Sequence, residues 1–246
     1  MLQFFRRIRR ELIDQTNLKS YLFYAVGEIL LVMIGILLAL QVNNWNESFK
    51  KHKAEREEYA AVIAHLQLDL SRQKQILDYA GLHEKVVNQI AYEIFIDSTD
   101  HKDCNFEWII RTLDYYSFVE ENHHNFTGEI PDKDIVDKFG SYFFLQYGAE
   151  QGLIGLNATV KDVHNYFCNH GIWNLKNAAS FEGHFNSDPN MQIIHSNKLI
   201  SLKNDESLQG RLAVLKTWLH QVTEKMSALI KTNEELQILL SQHIAD

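Results

Sequence analysis

Four textures of hydrophobic and polar positions follow one another along the chain. From Tyr21 to Leu40 it reads YLFYAVGEILLVMIGILLAL, twenty residues with one charge, of which twelve are Leu, Ile, Val or Phe. A bilayer core about 30 Å thick needs roughly twenty helical residues. At about −0.3 to −0.6 kcal/mol each, the twelve favour insertion by roughly 4–7 kcal/mol, against at most about 3 kcal/mol for Glu28. Tyr21 and Tyr24 stand at one edge and Trp45 beyond the other, as interfacial aromatics do. Residues 21–42 therefore read as a transmembrane signal anchor. The competing readings are a buried core helix and a cleaved signal peptide, and Ala39-Leu40-Gln41 makes a poor cleavage site.

Beyond the anchor, neither glycine nor proline falls between Gly35 and Gly81. Tyr59, Ile63, Leu66, Leu70, Gln73, Leu77 and Ala80 alternate four and three apart, which predicts a helical stalk over 43–96 with one apolar stripe. After a disturbance at Gly81 the stripe continues through Val86, Val87, Ile90 and Ile94. Residues 97–204 hold both prolines, seven of the eleven glycines and sixteen of the twenty-eight aromatics, so a compact core belongs there. Pro131 can open a helix in which Ile135, Val136, Phe139, Tyr142 and Phe143 share a face. Leu156, Val160, Val163 and Phe167 suggest another, ending near Gly171, and Phe106–Tyr116 reads as helical too.

Residues 205–246 carry the most regular pattern. Leu208, Leu215, Val222, Leu229 and Leu236 repeat every seven residues, with Leu212, Leu219, Met226, Asn233 and Leu240 as the second series. This predicts a long amphipathic helix, packed antiparallel on the stalk or as a coiled coil, with Asn233 a polar group in the seam that fixes register. The fold class is therefore all-α.

Charge refines the picture. Net charge is −8, yet residues 1–20 carry Arg6, Arg7, Arg9, Arg10 and Lys19 against Glu11 and Asp14. That segment can lie as a basic amphipathic helix on anionic headgroups or serve only as a topology signal. The acidic remainder argues against nucleic acid as a partner. Five basic residues before the span, against Lys50, Lys51, Lys53 and Arg56 after it, favour a cytoplasmic N-terminus and an exported body. On the anchor, Tyr21, Glu28, Gly35, Ala39 and Asn46 fall in one narrow stripe, and Gly35-x-x-x-Ala39 is a small-xxx-small pair. That face suits either an oligomer interface around Glu28 or a side chain reaching back toward the membrane surface.

The opening residues also carry a resemblance. Phe4-Phe5-Arg6-Arg7-Ile8-Arg9, Tyr24-Ala25, Gly27-Glu28-Ile29, Ile34-Gly35-Ile36, Ala39-Leu40-Gln41 and Asn43-Asn44-Trp45-Asn46-Glu47 resemble the start of an uncharacterised family of single-pass membrane proteins common in Bacteroidota. The resemblance implies a bacterial membrane protein with a mostly helical body. It implies no activity and no catalytic residues.

Chemistry has few footholds. Gly152-Leu-Ile-Gly155 lacks the lysine and spacing of a phosphate loop, and His83-Glu84 lacks a second histidine four residues on, where Val87 stands. Glu120-Glu121-Asn122-His123-His124 and His164, Cys168, His170 cluster possible ligands, but solvated histidines explain them as well. Cys104 and Cys168 suit a disulfide only if the body is exported and the two meet. No catalytic residue, cofactor or metal site is expected. The expected partners are the bilayer and either a second copy or another membrane protein. The expected role is a membrane-anchored scaffold or protein-interaction module at the bacterial inner membrane. A membrane-tethered small-molecule sensor and an ion-conducting oligomer around Glu28 are the alternatives.

Overall fold

The computed structural model describes residues 18–96, 106–123, 132–172, 199 and 201–245. Every regular element among them is helical: α1 (Leu18–Ile96), a 3-10 turn (Phe106–Ile110), α2 (Phe118–His123), α3 (Lys133–Asn169) and α4 (Glu206–Ala245). The chain forms two compact units, Met1–Glu58 and Tyr59–Asp246.

In the first unit, α1 contains an 18-residue window with a mean hydropathy of 2.4, none of it buried. This helix is long and apolar enough to cross a membrane. Its uncovered apolar surface, with Phe23, Leu31 and Leu38 all more than 60% exposed, is unlike that of a soluble core helix. Of the stripe noted above, Glu28 is half-buried while Gly35, Ala39 and Asn46 are exposed; the side chain of Tyr21 lies outside the described residues. Farther along, the helix is mostly polar apart from exposed Trp45 and Phe49, and carries the local pairs Asn43–Glu47, Lys51–Glu55 and Lys53–Glu57. Such i,i+4 pairs support a helix that has no core to lean on.

The second unit is built on three long helical segments. On α4 all ten seam positions from Leu208 to Leu240 are buried, Asn233 among them. On α3 the buried residues Ile135, Phe139, Tyr142, Gln146, Ala149, Leu153, Leu156, Val160, Val163 and Phe167 step by four and three without interruption. The region expected to hold two helices is therefore one helix of 37 residues. Asp132 caps its start by accepting from the Asp134 and Ile135 amides. It ends at Gly171, whose φ of 65° lets the Ile172 amide donate back to the Phe167 carbonyl. Pro131 lies outside the described residues.

On α1 the core face is rotated from the expected stripe. Tyr59, Val62, Leu66, Asp69, Gln73, Ile76, Ala80, His83, Val87 and Ile90 are buried, whereas Ile63, Leu70 and Leu77 are only partly covered. The second seam series thus contains Asp69 and His83. Asp69 at a core position breaks the apolar pattern, and the stripe Ile63, Leu70 and Leu77 lies one residue beyond the true core positions Val62, Asp69 and Ile76. Gly81 does not interrupt the helix.

Side-chain pairs give the directions. Asn88, Lys74 and Leu66 on α1 meet Lys216, Glu234 and Asn233 on α4, so these helices are antiparallel. Asp162, Gly148 and Lys138 on α3 meet Arg211, Lys225 and Glu235 on α4, again antiparallel. Consequently α1 and α3 run parallel, and the chain between them must return along the whole body. Residues 106–123 form part of that return, here called the strap. Trp108 meets Tyr79, Tyr115 meets Gln73 and His123 meets His65, so the strap runs antiparallel to α1. Only its 3-10 turn is helical before Phe118; residues 111–117 are irregular, although helix was expected as far as Tyr116. Asn157 on α3 explains the extended part, because its amide and carbonyl oxygen pair with the Leu113 carbonyl and amide at 2.9 Å each.

Candidate functional site: a buried polar layer and two histidine positions

The most unusual chemistry of the body lies where α1, α3, α4 and the strap meet. Asp69 is fully buried with no basic partner among the described residues, yet both its oxygens are occupied. One oxygen accepts from the Phe118 amide at 2.7 Å. The other accepts from the Ser117 hydroxyl at 2.6 Å, the Tyr142 hydroxyl at 2.9 Å and the Val119 amide at 3.3 Å. Four donors on a buried carboxylate replace the water it gave up. Two of them are N-terminal amides of α2, so Asp69 caps that helix from a distant element, while Ser117 accepts from the Glu120 amide.

The layer continues sideways. Gln73 donates to the hydroxyls of Tyr115 and Tyr142 at 3.0 and 3.2 Å. Its oxygen accepts from Asn233, which also donates to the Leu66 carbonyl at 3.0 Å. Gln237 donates to the Asn233 oxygen at 2.7 Å. Burial pushes the phenols of Tyr142 and Tyr115 well above the ordinary tyrosine range; nearby Tyr115 and then the Asp69 carboxylate add to the rise at Tyr142, and Asp69 adds to it at Tyr115. Both stay protonated at neutral pH, so Tyr142 keeps its proton for Asp69. Asn233 thus sits in the seam, and its partners across the seam are the α1 backbone and Gln73. Farther along the strap side of α3, the Gln146 amide bridges the carboxylates of Glu120 and Glu150. Burial raises the Glu150 carboxyl, with the Glu120 charge adding to the effect.

Two histidines flank this layer in opposite states. His83 is fully buried, and among the described residues neither ring nitrogen has a hydrogen-bond partner. It lies edge-on to Trp108, whose ring carries the Arg111 guanidinium at 4.7 Å. Burial and, second, the Arg111 charge depress its pKa from 6.5 to about 4, so the ring is neutral at pH 7. His65, by contrast, has its Nδ1 2.8 Å from Nε2 of His123 and stacks on Phe118.

Residues 28–135 match the model of a family of unknown function, DUF6090. The matched stretch takes in Asp69, His83, Ser117 and both members of the His65–His123 pair; Tyr142 and Asn233 lie beyond it. No curated protein and no solved structure matches the chain.

Among the described residues no three His, Cys, Asp or Glu side chains converge as a metal cage. His123 and His164 are both in helices, His164 at the far end of α3 from Asp132, and His124 lies outside the described residues. Cys168 is a free, exposed thiol, and Cys104 lies outside the described residues. The network residues Asp69, Gln73, Ser117, Tyr115 and Tyr142 were not singled out as polar-site residues from sequence. The contacts that join them into one layer span 42 to 160 positions along the chain, and no local motif marks such a set. The one signal available in sequence is a polar residue at a heptad core position, and it stands out only at Asn233, in an otherwise apolar seam.

Proposed function

We propose that this chain is a single-pass, signal-anchored protein of the bacterial inner membrane, with a cytoplasmic N-terminus and an exported helical body that works as a non-catalytic scaffold or protein-interaction module. The observation that carries this reading is the uncovered apolar window of α1. An exposed helical surface of that length is unfavourable in water and stable in lipid. The basic residues at 6–19 supply the orientation by the positive-inside tendency. The scaffold reading draws on the polar layer: Asp69, Gln73 and Asn233 are each held by partners within the fold. Groups held this way stiffen a body and leave little freedom for proton transfer or ligand capture. Alkaline carbonate extraction of membranes tests the anchor, and a full-length product released to the supernatant sinks it. Protease accessibility in spheroplasts tests the orientation, with degradation of the body expected. Affinity purification in mild detergent, read by mass spectrometry and native mass, tests the role: a reproducible protein partner or self-assembly is expected, and a lone monomer carrying a bound metabolite would favour a sensor instead.

A further inference from the structure

We propose that His65 and His123 together bind a borderline divalent transition metal ion, Zn²⁺, Ni²⁺ or Cu²⁺, which clips the strap to α1. The two ring nitrogens face each other across two different elements at 2.8 Å. One of them comes from the Glu120–His124 stretch that the sequence already marks as rich in ligand types; the other, 58 positions earlier, is added only by the fold. A tetrahedral ion with bonds of about 2.0–2.1 Å holds two imidazole nitrogens roughly 3.3 Å apart. The pair therefore needs to part by only about half an ångström and turn its lone pairs toward a common point. Stacking on Phe118, at 6.3 Å between centroids and 21° between planes, holds the plane of His65. His123 is 8% exposed and His65 is partly exposed, so an ion can reach the pair from the His65 side and water can occupy its remaining positions. With no third His, Cys, Asp or Glu converging among the described residues, the site is a two-ligand clip rather than a closed structural cage. Imidazole donors select Zn²⁺, Ni²⁺ and Cu²⁺ over Ca²⁺ and Mg²⁺, which seek oxygen.

The proposal is independent of the membrane reading. The test uses the full-length protein in mild detergent, stripped of metal and titrated with Cu²⁺ or Zn²⁺. One equivalent of Cu²⁺ with nitrogen hyperfine structure from two imidazoles is expected, together with a Zn²⁺-dependent rise in Tm. Both are lost in His65→Gln and in His123→Gln, with helicity preserved by circular dichroism, and both survive in His220→Gln, a change of an exposed histidine on α4. Binding that persists in the first two variants, or no binding above that of surface histidines, overturns the proposal. Should either variant fail to fold, hydrogen exchange of the Phe118 and Val119 amides in the unmodified protein decides. Slowing by tenfold or more with Zn²⁺ supports the clip, and unchanged exchange overturns it.

Discussion

His83 makes the body sensitive to acid. Neither ring nitrogen has a hydrogen-bond partner among the described residues, so a proton added there becomes an uncompensated charge in the core. Because its folded pKa of about 4 lies below the ordinary 6.5, the stability it contributes is complete above pH 6.5 and is lost as pH falls toward 4. The full difference corresponds to about 3 kcal/mol. Urea unfolding at pH 7.5, 5.5 and 4.5 should show this loss, and His83→Leu should abolish most of it while raising stability at pH 7.5 by about 1 kcal/mol. An unchanged pH slope in that variant would refute the assignment. The lowered carboxyls of Asp132, held by His243, and Asp205, held by Tyr166, act in a more acidic window, and the comparison with His83→Leu separates His83 from His164, which burial also lowers, and from the raised Glu150. Asp69 has the opposite character, a buried charge whose donors are all supplied. Asp69→Ala strands two hydroxyls and two amides at once and should cost about 3–5 kcal/mol. The earliest sign should be faster hydrogen exchange at Phe118 and Val119, and protection equal to that of the unsubstituted protein would contradict the capping role.

At the level of elements, α3 and α4 meet through glycines. A Cβ on Gly155 would stand 2.5 Å from the Trp218 ring, and one on Gly152 would stand 3.2 Å from a Val222 methyl. Gly→Ala in a helix gains about 1 kcal/mol of propensity, whereas overpacking a fitted contact costs about 1–3 kcal/mol. Gly155→Ala should therefore destabilise by about 1 kcal/mol net and alter Trp218 fluorescence. Gly140→Ala, where nothing lies within 4 Å, should stabilise by up to about 1 kcal/mol. Equal effects at the two positions would show that the close approach is not what sets the contact. The Gly152–Gly155 pair, dismissed as a phosphate loop on spacing, is thus a packing device that sequence did not reveal. Similarly, α4 is legible throughout because only Asn233 interrupts its seam, whereas one of the two series of α1 falls one residue off because Asp69 interrupts it.

For the molecule as a whole, the two units respond differently to solvent. The Tyr59–Asp246 unit carries the core, the polar layer and all three helix directions; the other carries the uncovered apolar window. A chain beginning at Tyr59 should remain in solution without detergent and unfold cooperatively, while the full chain should need detergent or lipid. Aggregation of the shorter chain on removal of detergent would mean that the body depends on the anchor for its fold. The parallel pairing of α1 and α3 also sets a length requirement on the chain between them, since that segment must travel back along the body before α3 begins. The strap meets this requirement, and Asp69, Asn157 and His65 are its fastenings.

Sequence by itself determined what depends on near neighbours: the apolar span, the all-helical class, the seam of α4 with Asn233 inside it, and the stop at Gly171. Hydropathy and periodicity are summed over adjacent turns, so they are readable without knowing what packs against them. Tertiary structure alone decided which face of α1 is core, that α3 is one helix, and that Asp69, Ser117, Tyr142 and Gln73 form one layer. A buried polar residue is unfavourable until its partner arrives, and here the partners arrive only when helices and strap are folded together.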